Sequence, residues 1–108
     1  IQRGEYDRAI ADLDQAIILQ PDYSEAYNNR AVAYTAKGDL DHALTDYTQA
    51  IAIQPDYARA YDNRGTAHTL KGNLDLAIAD YRQALILTSD PIQRAEIEAR
   101  LRELGATP

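Results

Sequence analysis

Three arginines and three aspartates recur along this chain at nearly fixed distances. Arg30 and Arg64 stand 34 residues apart, as do Asp12, Asp46 and Asp80, and Arg100 follows Arg64 at 36. A guanidinium is permanently charged and forks onto two oxygens of a carboxylate or phosphate. Such a row could therefore hold an anion. A charge on the inner side of a helix also needs a partner, and the matched rows of acid and base suggest an ion-pair ladder. The spacing favours pairing across repeat boundaries: Asp12 with Arg30, Asp46 with Arg64, Asp80 with Arg100. Pairing inside a repeat, Arg30 with Asp46 and Arg64 with Asp80, uses the same residues.

Catalytic chemistry finds little to work with. The two histidines, His42 and His68, fall on different helix types, and neither has a second histidine or a cysteine at metal-ligand spacing. His42, beside Asp39 and Asp41, reads as a helix-start surface residue. There is no glycine-rich phosphate loop and no serine elbow. The carboxylates Asp7, Asp41 and Asp75 repeat with the same period, as residues at helix starts do when negative charge meets the helix dipole. A catalytic acid would stand once, in a pocket. The sequence therefore points to a non-enzyme with no cofactor and no metal.

The charge balance narrows the partners. Seventeen acidic residues against eleven basic ones give a net charge of -6. Arginine and lysine are interleaved with acids, so the basic face that counterion release on nucleic acid requires is missing. No apolar run approaches the roughly 18 residues of a membrane span. The opening Ile1-Gln2-Arg3-Gly4 lacks the basic start and apolar core of a signal peptide, and the chain reads as a processed or excised piece of a soluble protein. The absence of cysteine is compatible with any redox compartment.

The elements that must position these residues come from a repeat. Residues 21–54 and 55–88 are identical at 18 of 34 positions, and the frame extends backward through Gly4, Ala9, Ile10, Asp12 and Ala16. Fixed self-similarity at this period signals stacked supersecondary units. Within each unit, Ala43, Leu44, Tyr47, Ala50 and Ile51 step by three and four along one helical face. Ala26, Tyr27, Arg30, Ala31 and Tyr34 form the matching stripe on the preceding helix. Gly38 takes the left-handed backbone at low cost and Asp39 can cap the next helix. Pro55 closes the second helix and Asp56 signals the next start. Each unit is thus an antiparallel helix pair, with Ala33, Ala43 and Ala50 letting the axes approach closely.

With those residues laid out, the chain resembles the tetratricopeptide repeat (TPR) family. Tyr27/Tyr61, Ala31/Gly65, Tyr34/His68, Ala43/Ala77, Tyr47/Tyr81, Ala50/Ala84 and Pro55 fit its pattern over residues 1 to about 88. The implied fold is all-α, a right-handed superhelical solenoid of about two and a half repeats plus a C-terminal capping helix. In one domain it would hold 1–20 as the second helix of a truncated repeat, two repeats at 21–54 and 55–88, and the cap at 89–108. The implied function is protein–protein interaction through a concave groove lined by the first helix of each unit. That places Glu25, Asn28, Asn29, Val32, Thr35 and Ala36 at the groove from one repeat. Arg59, Asp62, Asn63, Thr66, Thr69 and Leu70 line it from the next. Asparagine carries donor and acceptor together, so Asn28, Asn29 and Asn63 are the expected peptide contacts. One branch of the family clamps a C-terminal carboxylate. Asn29 matches its middle asparagine and Arg59 could replace a lysine, but Asn63 stands where that branch has arginine.

The ends add two expectations. Gly4 falls at the frame position of the inter-helix turn, with a helix from Asp7 to Leu19 after it. The side of Ile10, Leu13 and Ile17 that faced a lost partner helix should be partly bare, giving a homodimer or helix swap. On that view the chain is a spacer or self-assembly module in a longer array. Toward the other end, a shift of two residues places Ile97, Arg100, Leu101 and Leu104 on the inner stripe and turns Arg94, Glu96, Glu98, Arg102 and Glu103 to water, as a solvating cap requires, with Gly105 ending it.

Overall fold

The computed structural model describes residues 3–108, and among these all regular structure is helical: six helices and no strand. The chain divides into two compact units, 1–55 and 56–108. Unit 1 holds α1 (Arg3–Leu19), α2 (Ser24–Lys37) and α3 (Leu40–Ile53), with α1 packed on α2 and α2 on α3. Unit 2 holds α4 (Ala58–Lys71), α5 (Leu74–Leu87) and α6 (Pro91–Glu103), with α4 packed on α5 and α5 on α6.

The helix reversals are made as the sequence predicts. Gly38 and Gly72 carry φ of 83° and 88°. After each glycine, paired backbone bonds close the preceding helix: Gly38 N–H to Thr35 O with Asp39 N–H to Tyr34 O, and Gly72 N–H to Thr69 O with Asn73 N–H to His68 O. Asp39 then caps α3 by accepting from the His42 N–H. The starts of α2 and α4 differ from expectation. Their N-cap residues are Tyr23 and Tyr57, with no side-chain cap bond, so Asp22 and Asp56 sit in the preceding turns rather than at the caps.

Gly4 is a second correction: it lies inside α1, not at a turn. The residue that follows explains the difference. Gly38 and Gly72 precede Asp39 and Asn73, both good helix starters, whereas Gly4 precedes Glu5, a helix former and a poor N-cap. Glu5 also places negative charge in the first turn, where the helix dipole favours it.

The core of each unit is built on alanine. In unit 1, Ala26, Ala31, Ala33, Ala43 and Ala50 are buried around Tyr47 and Ile10. Unit 2 buries Ala60, Ala67, Ala77 and Ala84 around Tyr81 and Leu85, and α6 closes this core with Ile97 and Leu101 at no measurable exposure. The two-residue shift is thus observed in α6, and Gly105, at φ 77°, follows its end.

Candidate functional site

The arginine row is consumed by the fold. In unit 1 Arg30 Nε and Nη2 donate to the two Asp46 oxygens at 2.7 and 2.8 Å, and Nη1 donates to Asp14 at 2.8 Å. Unit 2 repeats the fork, with Arg64 Nε and Nη2 on Asp80, both at 2.8 Å. Each guanidinium also lies over the tyrosine three residues earlier, 5.6 Å from the Tyr27 ring and 5.4 Å from Tyr61, a cation–π geometry. The carboxylate hydrogen bonds raise both arginines above their ordinary pKa, more than burial lowers them.

The Nε–Nη2 fork therefore closes within each helix pair, and the predicted partners Asp12–Arg30, Asp46–Arg64 and Asp80–Arg100 are corrected, although Arg30 also reaches Asp14 on α1 across the repeat boundary. Asp12 is exposed, and Asp14 takes its place beside Arg30. Arg100 does not reach for Asp80. Its Nη1 holds both oxygens of Asp62, at 3.0 and 3.1 Å. The reason is geometric: Arg30 and Asp46 sit on facing helices joined by a two-residue turn, which brings the fork onto the carboxylate and leaves Nη1 to reach Asp14 on α1.

The expected groove residues separate into available and withdrawn. On α2, Glu25, Asn29 and Ala36 are exposed and Val32 is 45% exposed, but Asn28 is only 2% exposed, which removes it as a peptide contact. Thr35 donates to Ala31 O and shares a 3.3 Å hydrogen bond with the Tyr47 hydroxyl. On α4, Arg59 is exposed, Asn63 is half-buried and Leu70 is exposed, whereas Asp62 is buried and held by Arg100. Thr66 bonds the Tyr81 hydroxyl at 2.9 Å, and Thr69 donates to Gly65 O. Periodicity could not separate these classes, because Asn28, Asn29 and Asn63 share a composition and differ only in what packs over them.

The expected α4 residues face a wall on α6 that the sequence reading does not name. Between α4 and α6 lies a cleft of about 300 Å³, lined by Arg59 and Asn63 on one side and by Asp90, Gln93, Glu96 and Arg100 on the other. Glu96 faces solvent, as the cap register predicts, and also borders this cleft. Arg100 at the register of Arg64 was the available signal, since an inward arginine implies a wall facing it. Burial pushes the Asp62 carboxyl above the usual carboxylate range, with Glu96 adding to the shift and Arg100 opposing it. Asp90 spends one oxygen capping α6 at the Ile92 N–H. Arg59 is thus an exposed cation at the mouth of a polar cleft.

The side of α1 expected to be partly bare is covered at Ile10 and half-covered at Leu13 and Ile17. The bare apolar residues of α1 are Ile18 and Leu19, at 68% and 84% exposure. His42 is exposed and sits against Asp39 Oδ2 at 2.6 Å while stacking on Tyr34. Among the described residues no group of His, Cys, Asp or Glu has a metal-holding arrangement, and no helix is long and apolar enough to cross a membrane.

Family models described as tetratricopeptide repeat match residues 24–57 and 58–90, and one described as TPR repeat matches residues 1–38. The chain belongs to the tetratricopeptide repeat family. Solved TPR domains agree. The second TPR of Spaghetti (RPAP3) bound to the HSP90 peptide SRMEEVD is 35% identical over 79% of this chain and 79% of that one, with a TM-score of 0.75. The TPR domain of Arabidopsis OM64 is 31% identical over 93% of this chain and 83% of its own, at 0.83. The second TPR domain of human RPAP3, in complex with the HSP70 peptide SGPTIEEVD, is 31% identical over 92% and 82%, at 0.80. No curated protein matches this TPR chain in sequence.

Proposed function

We propose that this TPR chain is a non-catalytic module that binds a peptide or a segment of a partner protein. The α4–α6 cleft of unit 2 is its main contact, and the exposed α2 residues Glu25, Asn29 and Val32 of unit 1 are a separate candidate surface. The observation that carries this reading is Arg59, an exposed cation beside Asn63 at a polar cleft that no side chain of unit 2 fills. Support comes from relatives of similar size that hold short peptides. Asn63 in place of an arginine separates this chain from a strict carboxylate clamp, so its preferred ligand need not end in the acidic tail those relatives hold. Two inner helices bury little area, and a short peptide should bind near micromolar, roughly -8 kcal/mol.

The test is a random-peptide array probed with the full chain, followed by fluorescence anisotropy on the hits. Arg59→Ala, alone and combined with Asn63→Ala, should weaken the hits tenfold or more. Hits that ignore both substitutions would overturn the assignment.

A second reading, a spacer or self-assembly module within a longer array, is favoured by the exposure of Ile18 and Leu19. Light scattering over a hundredfold range of concentration separates the two. A dimer lost on Leu19→Asp supports assembly, and a monomer throughout removes it.

A further inference from the structure

His68 occupies the position on α4 that Tyr34 occupies on α2, 34 residues earlier. Its side chain is 14% exposed, its Nδ1 is buried with no hydrogen-bond partner, and its Nε2 lies 3.8 Å from Asp80 Oδ2. That carboxylate is already engaged, because Oδ2 accepts from Arg64 Nε and Oδ1 from Arg64 Nη2, both at 2.8 Å. The charged groups facing the ring are Asp80 from α5 and Arg64 and Lys71 from its own helix. A neutral imidazole suits this surrounding when its proton sits on Nε2, toward Asp80, and Nδ1 stays bare. Protonation would add an N–H at Nδ1 with no acceptor, and a second buried cation beside Arg64 that shares one already occupied carboxylate.

We propose that His68 is an acid-sensitive latch: protonation of its buried ring opens the α4–α5 pair and leaves the α2–α3 pair closed. The unfolded chain has no such restriction and takes the proton near the ordinary histidine value of about 6.5. Burial lowers the folded value, with Asp80 opposing and Arg64 and Lys71 assisting. The sign follows from linkage. The stability held by neutral His68 is fully present above about pH 6.5 and is lost as pH falls through the lower folded value. Unit 1 has no buried imidazole: the equivalent residue is Tyr34, and its own histidine, His42, stands exposed against Asp39.

Hydrogen exchange on the full chain tests this, read by mass spectrometry at about pH 7.5 and about pH 5 after correction for intrinsic rates. Peptides from α4 and α5 should lose about fivefold more protection than those from α2 and α3. His68→Tyr, which copies unit 1, should bring the two pairs to parity. Should tyrosine crowd the site, His68→Gln removes the charge at similar size and should act alike. Equal losses in both pairs of the wild type overturn the proposal. So does an imidazole Cε1–H titration by NMR that places His68 at or above the ordinary histidine range.

Discussion

The α2–α3 and α4–α5 pairs are two versions of one design. Residues 21–54 and 55–88 keep the alanines, the glycine reversal and the arginine–aspartate fork, yet they differ where those constants leave room. Ala31 becomes Gly65, and a Cβ at Gly65 would lie 2.7 Å from Tyr81 Cε1. The tyrosine ring uses that space. Tyr81 reaches the Thr66 hydroxyl, whereas in unit 1, where Val32 stands at the equivalent position, Tyr47 reaches Thr35, one turn farther along. Asn28 becomes Asp62, a buried acid that needs Arg100 from α6. Tyr34 becomes His68, a buried ring that can ionise. The lesson is that a repeat conserves volume and the central ion pair, while its variable positions decide which unit carries a cleft and which responds to pH.

The strongest way to break this comparison is to attack what the two pairs share. Arg64→Met should destabilise by about 3–5 kcal/mol in urea unfolding, because it strands a carboxylate with 8% side-chain exposure. Arg30→Met should cost a similar amount by stranding Asp46, since its second partner, Asp14, is 45% exposed and can be solvated. A difference above about 2 kcal/mol would mean that the forks are not equivalent.

Next comes the difference at Asn28 and Asp62. Arg100→Ala removes a charge-assisted bond and should cost about 1–2 kcal/mol. Asp62→Asn, which copies unit 1, probes the same site by pH. The folded carboxyl titrates above its unfolded value, so the protonated form is favoured by the fold. That stability is present below about pH 3.9 and is lost as pH rises through the raised value. In the asparagine variant the urea midpoint should not show this loss. An unchanged pH profile would remove Asp62 as its source.

The smallest effect tests the tyrosine exchange. Gly65→Ala overpacks against Tyr81 but gains helix propensity, leaving a net loss of about 1 kcal/mol. A crystal structure of this variant should show the Tyr81 hydroxyl moved from Thr66 to Thr69, matching Tyr47 on Thr35. A hydroxyl that stays on Thr66 would sink the steric account.

Much of the fold was legible because it rests on short-range rules. Gly38 and Gly72 marked the reversals, and the alanine and tyrosine stripes marked the buried faces. The shifted register of Ile97 and Leu101 identified α6. Gly4 misled because the frame was read without its neighbour Glu5. The candidate site was only partly legible. Arg59, Asn29 and Asn63 were named and are accessible to different degrees, while Asn28 and Asp62 were named and are buried. Glu96 is the surface residue the sequence indicates, but an amphipathic stripe says which residues face inward, not which outward residues border a cleft.

The sequence by itself determined the helices, their reversals and the arginines that carry ion pairs, with Asp46 and Asp80 among their partners. These depend on backbone conformational cost, on 3.6-residue periodicity and on the rule that inward charge must be matched. The tertiary structure decided which acid each arginine meets, which asparagine stays at the surface and whether His68 lies in water or beside Asp80. Those outcomes turn on distances of a few ångströms between helices. A charge or a ring is stabilised or penalised by what is packed against it, and that packing is set by residues far away in the chain.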